Sequence, residues 1–366
     1  MRMRRLLEAS ILAGAVVALG AARPDADFPS ERAYRVEDLG PGIFAFVNPE
    51  TSGPIPSGNV TAVVGDDGVL VVDSGRFPTL ARRMIADIRK RTDKPVRYVV
   101  HTHWHLDHVV GDGEFAAAYP RALFVSTDFT RRKMLEKQVS YLRDVEKNGQ
   151  GYVEQIEARL AKGTRDDGTP IPEDSKKYLA NMASDVKLEM AELSGEEVVA
   201  PALTFDRSLT LHLGRREVRL LFLGEGNTAG DTVVYVPDAR VVAAGDLLVA
   251  PTPYGYGCHP ADWVQTLQKL TALDAAAIVP GHGPVMRDWE YAKKVRDVLE
   301  AIRGQVGQAV ASGATLEETQ KRVNVETFQK SFAGDSYARN RAFRDYFLAD
   351  AVTRAWQEAK EKVEEE

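Results

Sequence analysis

Cysteine is nearly absent, with Cys258 alone in a chain of 366 residues. No intramolecular disulfide can form, and a zinc ribbon built on paired cysteines is excluded. A lone thiol without a thiolate-favouring setting reads as a small packing residue rather than a nucleophile. Long apolar runs are missing too. Lys and Arg form no block, and the formal net charge is -6, so neither nucleic acid nor an anionic membrane surface is the expected partner. No serine-centred elbow and no glycine-rich phosphate loop of the usual kind occurs. No internal repeat or low-complexity tract breaks the chain. With 44% hydrophobic and 27% charged residues, it has enough material for one large domain with additions or for two small ones.

The N-terminus differs in kind. Arg2, Arg4 and Arg5 precede a small-residue apolar run from Ala9 to Ala22. A basic start, a short apolar stretch and small residues at its end form the pattern of a secretory leader. The run is too short and alanine-rich for a comfortable membrane span, and no cysteine follows directly to carry a lipid anchor. We read residues 1–22 as a leader, and expect the mature protein in the periplasm or outside the cell with no integral membrane span. An ordinary N-terminal helix is the alternative.

From Tyr34 to Ser74 the pattern is strand-like. Val60–Val64 and Val69–Asp73 flank Gly65-Asp66-Asp67-Gly68, a hairpin signal. Residues 48–59, rich in Gly, Pro and Ser, read as an exposed loop. Leu80, Met84 and Ile88 keep helical spacing up to Thr92, and Val96–Val100 is then a strand. Residues 128–195 read as a helical insertion: Leu135, Val139 and Leu142 form one stripe, Tyr178, Met182, Val186 and Met190 another, with a polar turn at 163–172. These helices either cover a site or merely pack. Strands return over 204–250 and at Ala276–Val279. The remainder is helical, with a stripe at Val295, Leu299, Ile302 and Val306 and a capping box at Thr315–Glu318. The charged end Glu361–Glu366 reads as frayed. The organisation expected is a leader at 1–22, a domain at 30–290 holding the insertion, and a C-terminal helical extension at 291–366. Alternation of strand and helix indicates layered α/β architecture.

Of seven histidines, four fall within residues 101–108. Histidine is the commonest metal ligand, and aspartate adds a hard oxygen. His103 and His105 are two apart, which in extended chain puts both imidazoles on one side. Asp107 and His108 follow at once, where a turn can aim them into the same volume. The cluster directly follows an apolar strand, where α/β layers carry their sites on loops.

His103-Trp104-His105-Leu106-Asp107-His108 after the strand Val96–Val100, with Gly111 behind, resembles the signature of the metallo-β-lactamase superfamily. Val71-Val72-Asp73-Ser74-Gly75, Ala243-Ala244-Gly245-Asp246 and Val279-Pro280-Gly281-His282-Gly283 are similar to further elements of that family, in its order. The resemblance covers roughly residues 34–290. It implies an αββα sandwich, within the α/β (α+β) class, and two adjacent metal positions. His103, His105 and a further histidine would serve the first, Asp107, His108 and His282 the second, and Asp246 would bridge them. One histidine is missing: Asn227 stands for it in Gly226-Asn227-Thr228-Ala229-Gly230-Asp231. An amide oxygen is a poorer donor to transition metals than imidazole. Asn227 reads as a weak ligand, a hydrogen-bond partner near the metal, or a substrate contact.

The resemblance implies a metallo-hydrolase holding Zn2+, one or two per chain, with Fe or Mn as alternatives. Its reaction would be attack of metal-bound hydroxide on the carbonyl of a small molecule — a β-lactam, lactone or other ester- or amide-like substrate — with Asp107 orienting the nucleophile and taking its proton. A mononuclear-iron oxidoreductase of persulfide-dioxygenase type and a binding protein with a vestigial site are the competing readings. Tyr254, Tyr256 and His259 lie in a loop just after Asp246 and are candidate pocket residues, with a plain surface loop as the alternative. His101 matches no ligand position, and His212 lies in an alternating strand. The leader generates a direct test. Protein from its native host should begin near residue 23 and lie outside the cytoplasm. N-terminal sequencing that finds intact Met1 on cytoplasmic protein would remove the leader.

Overall fold

The computed structural model describes residues 28–50 and 54–360. The leader read at 1–22 and the charged end at 361–366 lie outside the described residues. Seven strands, β1 (Arg35–Gly40), β2 (Ile43–Val47), β3 (Val60–Val64), β4 (Val69–Val72), β5 (Val96–Val100), β6 (Leu123–Thr127) and β7 (Leu203–Phe205), form one sheet in sequence order. Pairing is antiparallel from β1 to β4 and parallel from β4 to β7. β8 (Ser208–Leu213), β9 (Arg216–Phe222), β10 (Thr232–Val236), β11 (Val241–Val249) and β12 (Ala277–His282) form the second sheet, ordered β12-β11-β10-β9-β8. Within it β11 and β12 run parallel.

Central strands covered on both faces read as continuous apolar runs. In β2, Ile43, Ala45 and Val47 face the second sheet, while Phe44 and Phe46 face the outer helices. The hairpin predicted at Gly65–Gly68 closes through Gly65 N–H donating to Gly68 O at 2.9 Å. α1 (Pro78–Arg91) starts on a proline, buries Leu80, Met84 and Ile88, and carries Arg89, Lys90 and Arg91 in its last turn, where they complement the helix dipole. α2 (Leu106–Val109) and α3 (Asp112–Ala118) follow β5, and α3 packs with α1 outside the first sheet.

The segment after β6 is helical as expected: α4 (Asp128–Lys133), a π-helical turn (Met134–Gln138), α5 (Val139–Lys162) and α6 (Glu173–Leu193). Gly163, at φ +69°, ends α5 in the left-handed conformation that costs glycine least. The apolar stripe read along α6 is only half-buried at Met182, Val186 and Met190. Its deeply buried stripe is acidic: Asp185, Glu189 and Glu192. Glu192 accepts from Thr79 N–H at 2.9 Å and Thr79 Oγ1 at 2.8 Å, at the start of α1. Glu189 pairs with buried Arg76, whose Nε donates at 2.7 Å. Asp185 pairs with Arg32 and accepts from Ile55 N–H at 3.2 Å. Hydropathy periodicity misses such a stripe, because the acids are buried with partners supplied by distant parts of the chain.

α7 (Pro260–Thr271) and α8 (Glu290–Ala311) cover the second sheet. They are followed by α9 (Leu316–Arg322), α10 (Glu326–Ala333), α11 (Tyr337–Phe343), a second π-helical turn (Arg344–Leu348) and α12 (Ala349–Ala359). The capping box at Thr315 and Glu318 forms as read. Val295, Leu299, Ile302 and Val306 share one core with β11, α7, Phe343, Phe347 and Val352, so the C-terminal helices and the second sheet bury each other. Cys258 sits fully buried in that core. The architecture is therefore an αββα sandwich. Among the described residues, no helix is long and apolar enough to cross a membrane.

Residues 48–59 correct one expectation. The loop is expected to be exposed, and Glu50 is, but Asn48, Ser57 and Asn59 at its two ends are buried. Asn59 Nδ2 donates to Pro280 O at 3.0 Å and Gly283 O at 2.9 Å, and Gly58 N–H donates to Asp107 O at 2.9 Å. Small polar residues here satisfy buried backbone instead of meeting water.

The buried Arg76–Glu189 pair yields a stability test. Glu189→Ala leaves a buried guanidinium uncompensated and should cost about 3–5 kcal/mol in urea denaturation. Glu157→Ala, which removes the exposed partner of Lys187, should cost under about 1 kcal/mol. Equal losses would show that the pair does not hold α6.

Candidate metal centre

β5 delivers the chain to His101, and the extended segment that follows brings His103 and His105 together, with His103 Nε2 2.8 Å from His105 Nδ1. His105 precedes the single turn of α2, which folds Asp107 and His108 back toward them. Asp246 follows Gly245 within β11, where the pairing with β12 shifts register, and His282 closes β12. The site therefore lies at the carboxyl ends of parallel strands from both sheets, as in open α/β sheets.

Two sets of donors result: His103, His105 and Asp246, and Asp107, His108 and His282. Within each set the donor atoms all lie within 4.8 Å of one another. Asp246 touches both, with Oδ2 3.6 Å from His103 Nε2 and Oδ1 3.2 Å from His108 Nε2 and 3.6 Å from His282 Nε2. His282 Nε2 lies 2.9 Å from Asp107 Oδ2 and 3.3 Å from His108 Nε2. A tetrahedral ion with ligands at about 2.0–2.1 Å sets its donors about 3.3–3.4 Å apart. The measured separations bracket that edge. Asp246 Oδ1 is also sealed from solvent and makes no hydrogen bond of regular geometry. The residues fit a divalent cation.

The surroundings fix which ring nitrogens face inward. Thr102 Oγ1 donates to Asp73 Oδ2 at 2.8 Å, so at 3.0 Å it accepts from His103 Nδ1. Asp73 Oδ2 likewise accepts from His108 Nδ1 at 2.8 Å. Both histidines thereby turn Nε2 toward the cluster, as metal-ligating imidazoles do when a carboxylate holds the other nitrogen. Asp73 itself is held at φ +61°, a sparsely populated conformation for a non-glycine residue that tends to be kept at functional sites. Two glycines admit the ligands. A Cβ on Gly58 would stand 2.4 Å from the His108 ring, and one on Gly281 1.9 Å from Asp246 Oδ1.

Electrostatics also call for a cation. Burial disfavours charge on His108, but Asp246, Asp107 and Asp73 outweigh it and hold the imidazole well above its usual pKa. Burial, and then the charge on His108, push His103 well below. Against burial, His108 and the hydrogen bond from His282 keep Asp107 well below the carboxylate range.

All six residues read as ligands are thus brought together. Asn227 is fully buried. Its Nδ2 donates to Tyr254 O at 2.8 Å, and its Oδ1 has no hydrogen-bond partner. A cavity of about 660 Å³ opens over His105, Asp107, Asp246 and His282 and is lined by Tyr254 and Tyr256. His259 does not line it, and pairs instead with Glu225 at 2.9 Å. His101 pairs with Asp112 at 2.8 Å, and His212 is exposed. Sequence reasoning passed over Asp73 as a ligand holder, and over Arg76, Tyr141, Tyr178 and Tyr346 in the cavity wall. Asp73 stood in a quoted strand motif, but no spacing ties it to the histidines. The tyrosines lie in helices far along the chain and carry no local signal.

The family model described as the metallo-beta-lactamase superfamily matches residues 54–282. A linear primary-alkylsulfatase from Pseudomonas sp. is 25% identical over 270 residues, which are 71% of this chain and 48% of that protein. Metallo-beta-lactamase IND-1 from Chryseobacterium indologenes is 33% identical over 96 residues, 25% of this chain and 38% of that protein. The chain thus spans half or less of these relatives' lengths. Among solved structures, a metallo-beta-lactamase from Pontibacter korlensis aligns at TM-score 0.51 and 18% identity, over 73% of this chain and 99% of that one. The DIM-1 metallo-beta-lactamase aligns at 0.50 and 17%, over 73% and 97%. These two likenesses concern the fold alone.

Asp73→Ala removes the acceptor that orients His108 while leaving every ligand in place. Metal affinity should fall about 10–100-fold, measured by competition with a chromophoric chelator. Unchanged affinity would reduce Asp73 to a packing residue.

Proposed function

The chain belongs to the metallo-β-lactamase superfamily, and from that premise we propose that it is a metal-dependent hydrolase of small ester- or amide-like substrates, β-lactams and lactones included. One observation carries the reading: two sets of two imidazoles and one carboxylate lie together, with Asp246 of the first also close to the second, and His105, Asp107, Asp246 and His282 among them line a drug-sized cavity. Zn2+ is the resident metal proposed, since imidazole suits it and carboxylate completes the set. When bound, it supplies Lewis acidity toward the scissile carbonyl and a water acidified to near neutrality.

The chain's own groups do the rest. Asp107 is ionised and half-buried, and it borders the cavity, so it can accept a proton from attacking water. Gly58 N–H, donating to Asp107 O at 2.9 Å, holds its backbone in place. Asp73 and Thr102 hold His108 and His103 in the required tautomers. Burial, with Asp107 and Asp246 nearby, keeps the Tyr254 phenol protonated, leaving a hydrogen-bond donor on the wall. A second reading, hydrolysis of a sulfate ester, is supported by the 270-residue likeness to the alkylsulfatase. Export to the periplasm, argued from residues 1–22, is part of the same proposal.

Asn227 sets the occupancy expected. The position served by Asp107, His108 and His282 has its full set, with Asp246 adjoining. In the position served by His103, His105 and Asp246, the resemblance puts Asn227, a neutral amide, where an imidazole would bind better. Under limiting metal the complete position should fill first. Asn227→His should raise stoichiometry toward two metals per chain, and His282→Ala should abolish most binding and turnover. Metal content after dialysis, with a panel of β-lactams, lactones, thioesters and alkyl sulfates, tests this. Two equally tight metals in the parent would overturn the occupancy argument, and a metal-loaded protein that hydrolyses none of the panel would overturn the function.

A further inference from the structure

The cavity wall says more about the substrate than the metal donors do. Of its charged side chains outside the metal donors, both arginines are already matched. Arg76 is bonded to Glu189, and Arg339 forks onto Glu50 through bonds of 2.7 and 2.6 Å. Asp144 accepts from Asn148 at 2.6 Å and from the Tyr152 hydroxyl at 3.2 Å. Lys137, 40% exposed at the rim, lies 3.8 Å from Glu136. The remaining wall is largely apolar and aromatic. The Tyr254 and Tyr346 rings lie 6.4 Å apart at 34°. The Tyr178 and Tyr346 hydroxyls bond each other at 3.0 Å, so their polar ends are occupied. Trp104 and Ala342 add further apolar surface.

Resting on the hydrolase reading of this cavity, we propose that the body of the substrate is uncharged and apolar, alkyl or aryl, and that any charge it carries belongs to the scissile group at the metal donors. A carboxylate held among the inner walls would lose its water where both arginines are engaged and Lys137 is out at the rim, and an unpaired buried charge is costly. An apolar body gains in proportion to the area it buries. The walls that impose this choice are Tyr178 of α6, Ala342 of α11 and Tyr346 of the second π-helical turn. They belong to the insertion and the C-terminal helices, so selection acts through parts of the chain that hold no metal donor.

The test is equilibrium binding of uncharged N-alkyl acetamides to the full, zinc-loaded chain by calorimetry, read without turnover. The dissociation constant should fall up to roughly fourfold per added methylene until the cavity is filled. An analogue of equal length ending in a carboxylate should bind at least about tenfold more weakly. Ala342→Trp should cut the series short, and Tyr346→Ala should flatten its slope, both at unchanged zinc content. Affinity independent of chain length, or tighter binding of the carboxylate, would overturn the proposal. If the amide series binds as expected while no ester, lactone or sulfate is turned over, the hydrolase reading fails and the apolar pocket stands. If turnover occurs but carboxylated substrates are preferred, this proposal alone fails.

Discussion

Four imidazoles and two carboxylates crowd within a few ångströms at the ends of β5, β11 and β12, and such a cluster is tolerable inside a protein only around positive charge. Around His108 the carboxylates of Asp246, Asp107 and Asp73 outweigh burial and favour its charged form. Much of the neighbouring structure serves the same demand. Asp73 accepts a strained backbone to orient His108, Thr102 fixes His103 and is itself held by Asp73, and Gly58 and Gly281 stay bare so that ligands can approach. Ser57, Gly58 and Asn59 are buried at the end of the loop because Asn59 ties it to the His282 loop. Local oddities along these segments thus share one physical origin.

Most of this was legible in the sequence where chemistry and periodicity coincide. β5 was read to the residue, since five apolar-to-mixed residues between Pro95 and a histidine cluster leave little choice. Of the six residues read as metal donors, which the structure brings together, four stand in a short motif behind a strand, while Asp246 and His282 were readable only through the resemblance. Reading failed where the partner lies elsewhere in the chain. Asp73 looked like the end of a strand, and its tie to His108 spans 35 residues. The loop at 48–59 has the composition of a surface turn, while Asn48, Ser57 and Asn59 at its ends are buried. The short strand β7 escaped notice because three residues at a sheet edge carry no period.

The insertion and the C-terminal helices extend the αββα frame in different ways. The C-terminal helices complete the second sheet's outer core with ordinary apolar packing. The insertion is joined to the first sheet's side through buried carboxylates. The two meet over the cavity, where the Tyr178 and Tyr346 hydroxyls bond. Both π-helical turns contribute to the same cavity, through Lys137 and Tyr346, in keeping with the tendency of such turns to gather at functional sites.

The acidic stripe of α6 also acts as a vernier. A helix docked by apolar side chains can slide and repack with modest loss, because one methyl group serves nearly as well as another. Asp185, Glu189 and Glu192 each meet a different partner, on Arg32, Arg76 and Thr79. A slip of one residue rotates a helix by about 100° and breaks all three engagements together. The axial and rotational setting of α6 is therefore quantised, with no neighbouring notch to fall into. Tyr178 stands seven residues before Asp185, almost directly in line on the same face. Where that ring sits over the cavity is thereby decided by carboxylates bonded to residues outside its own helix.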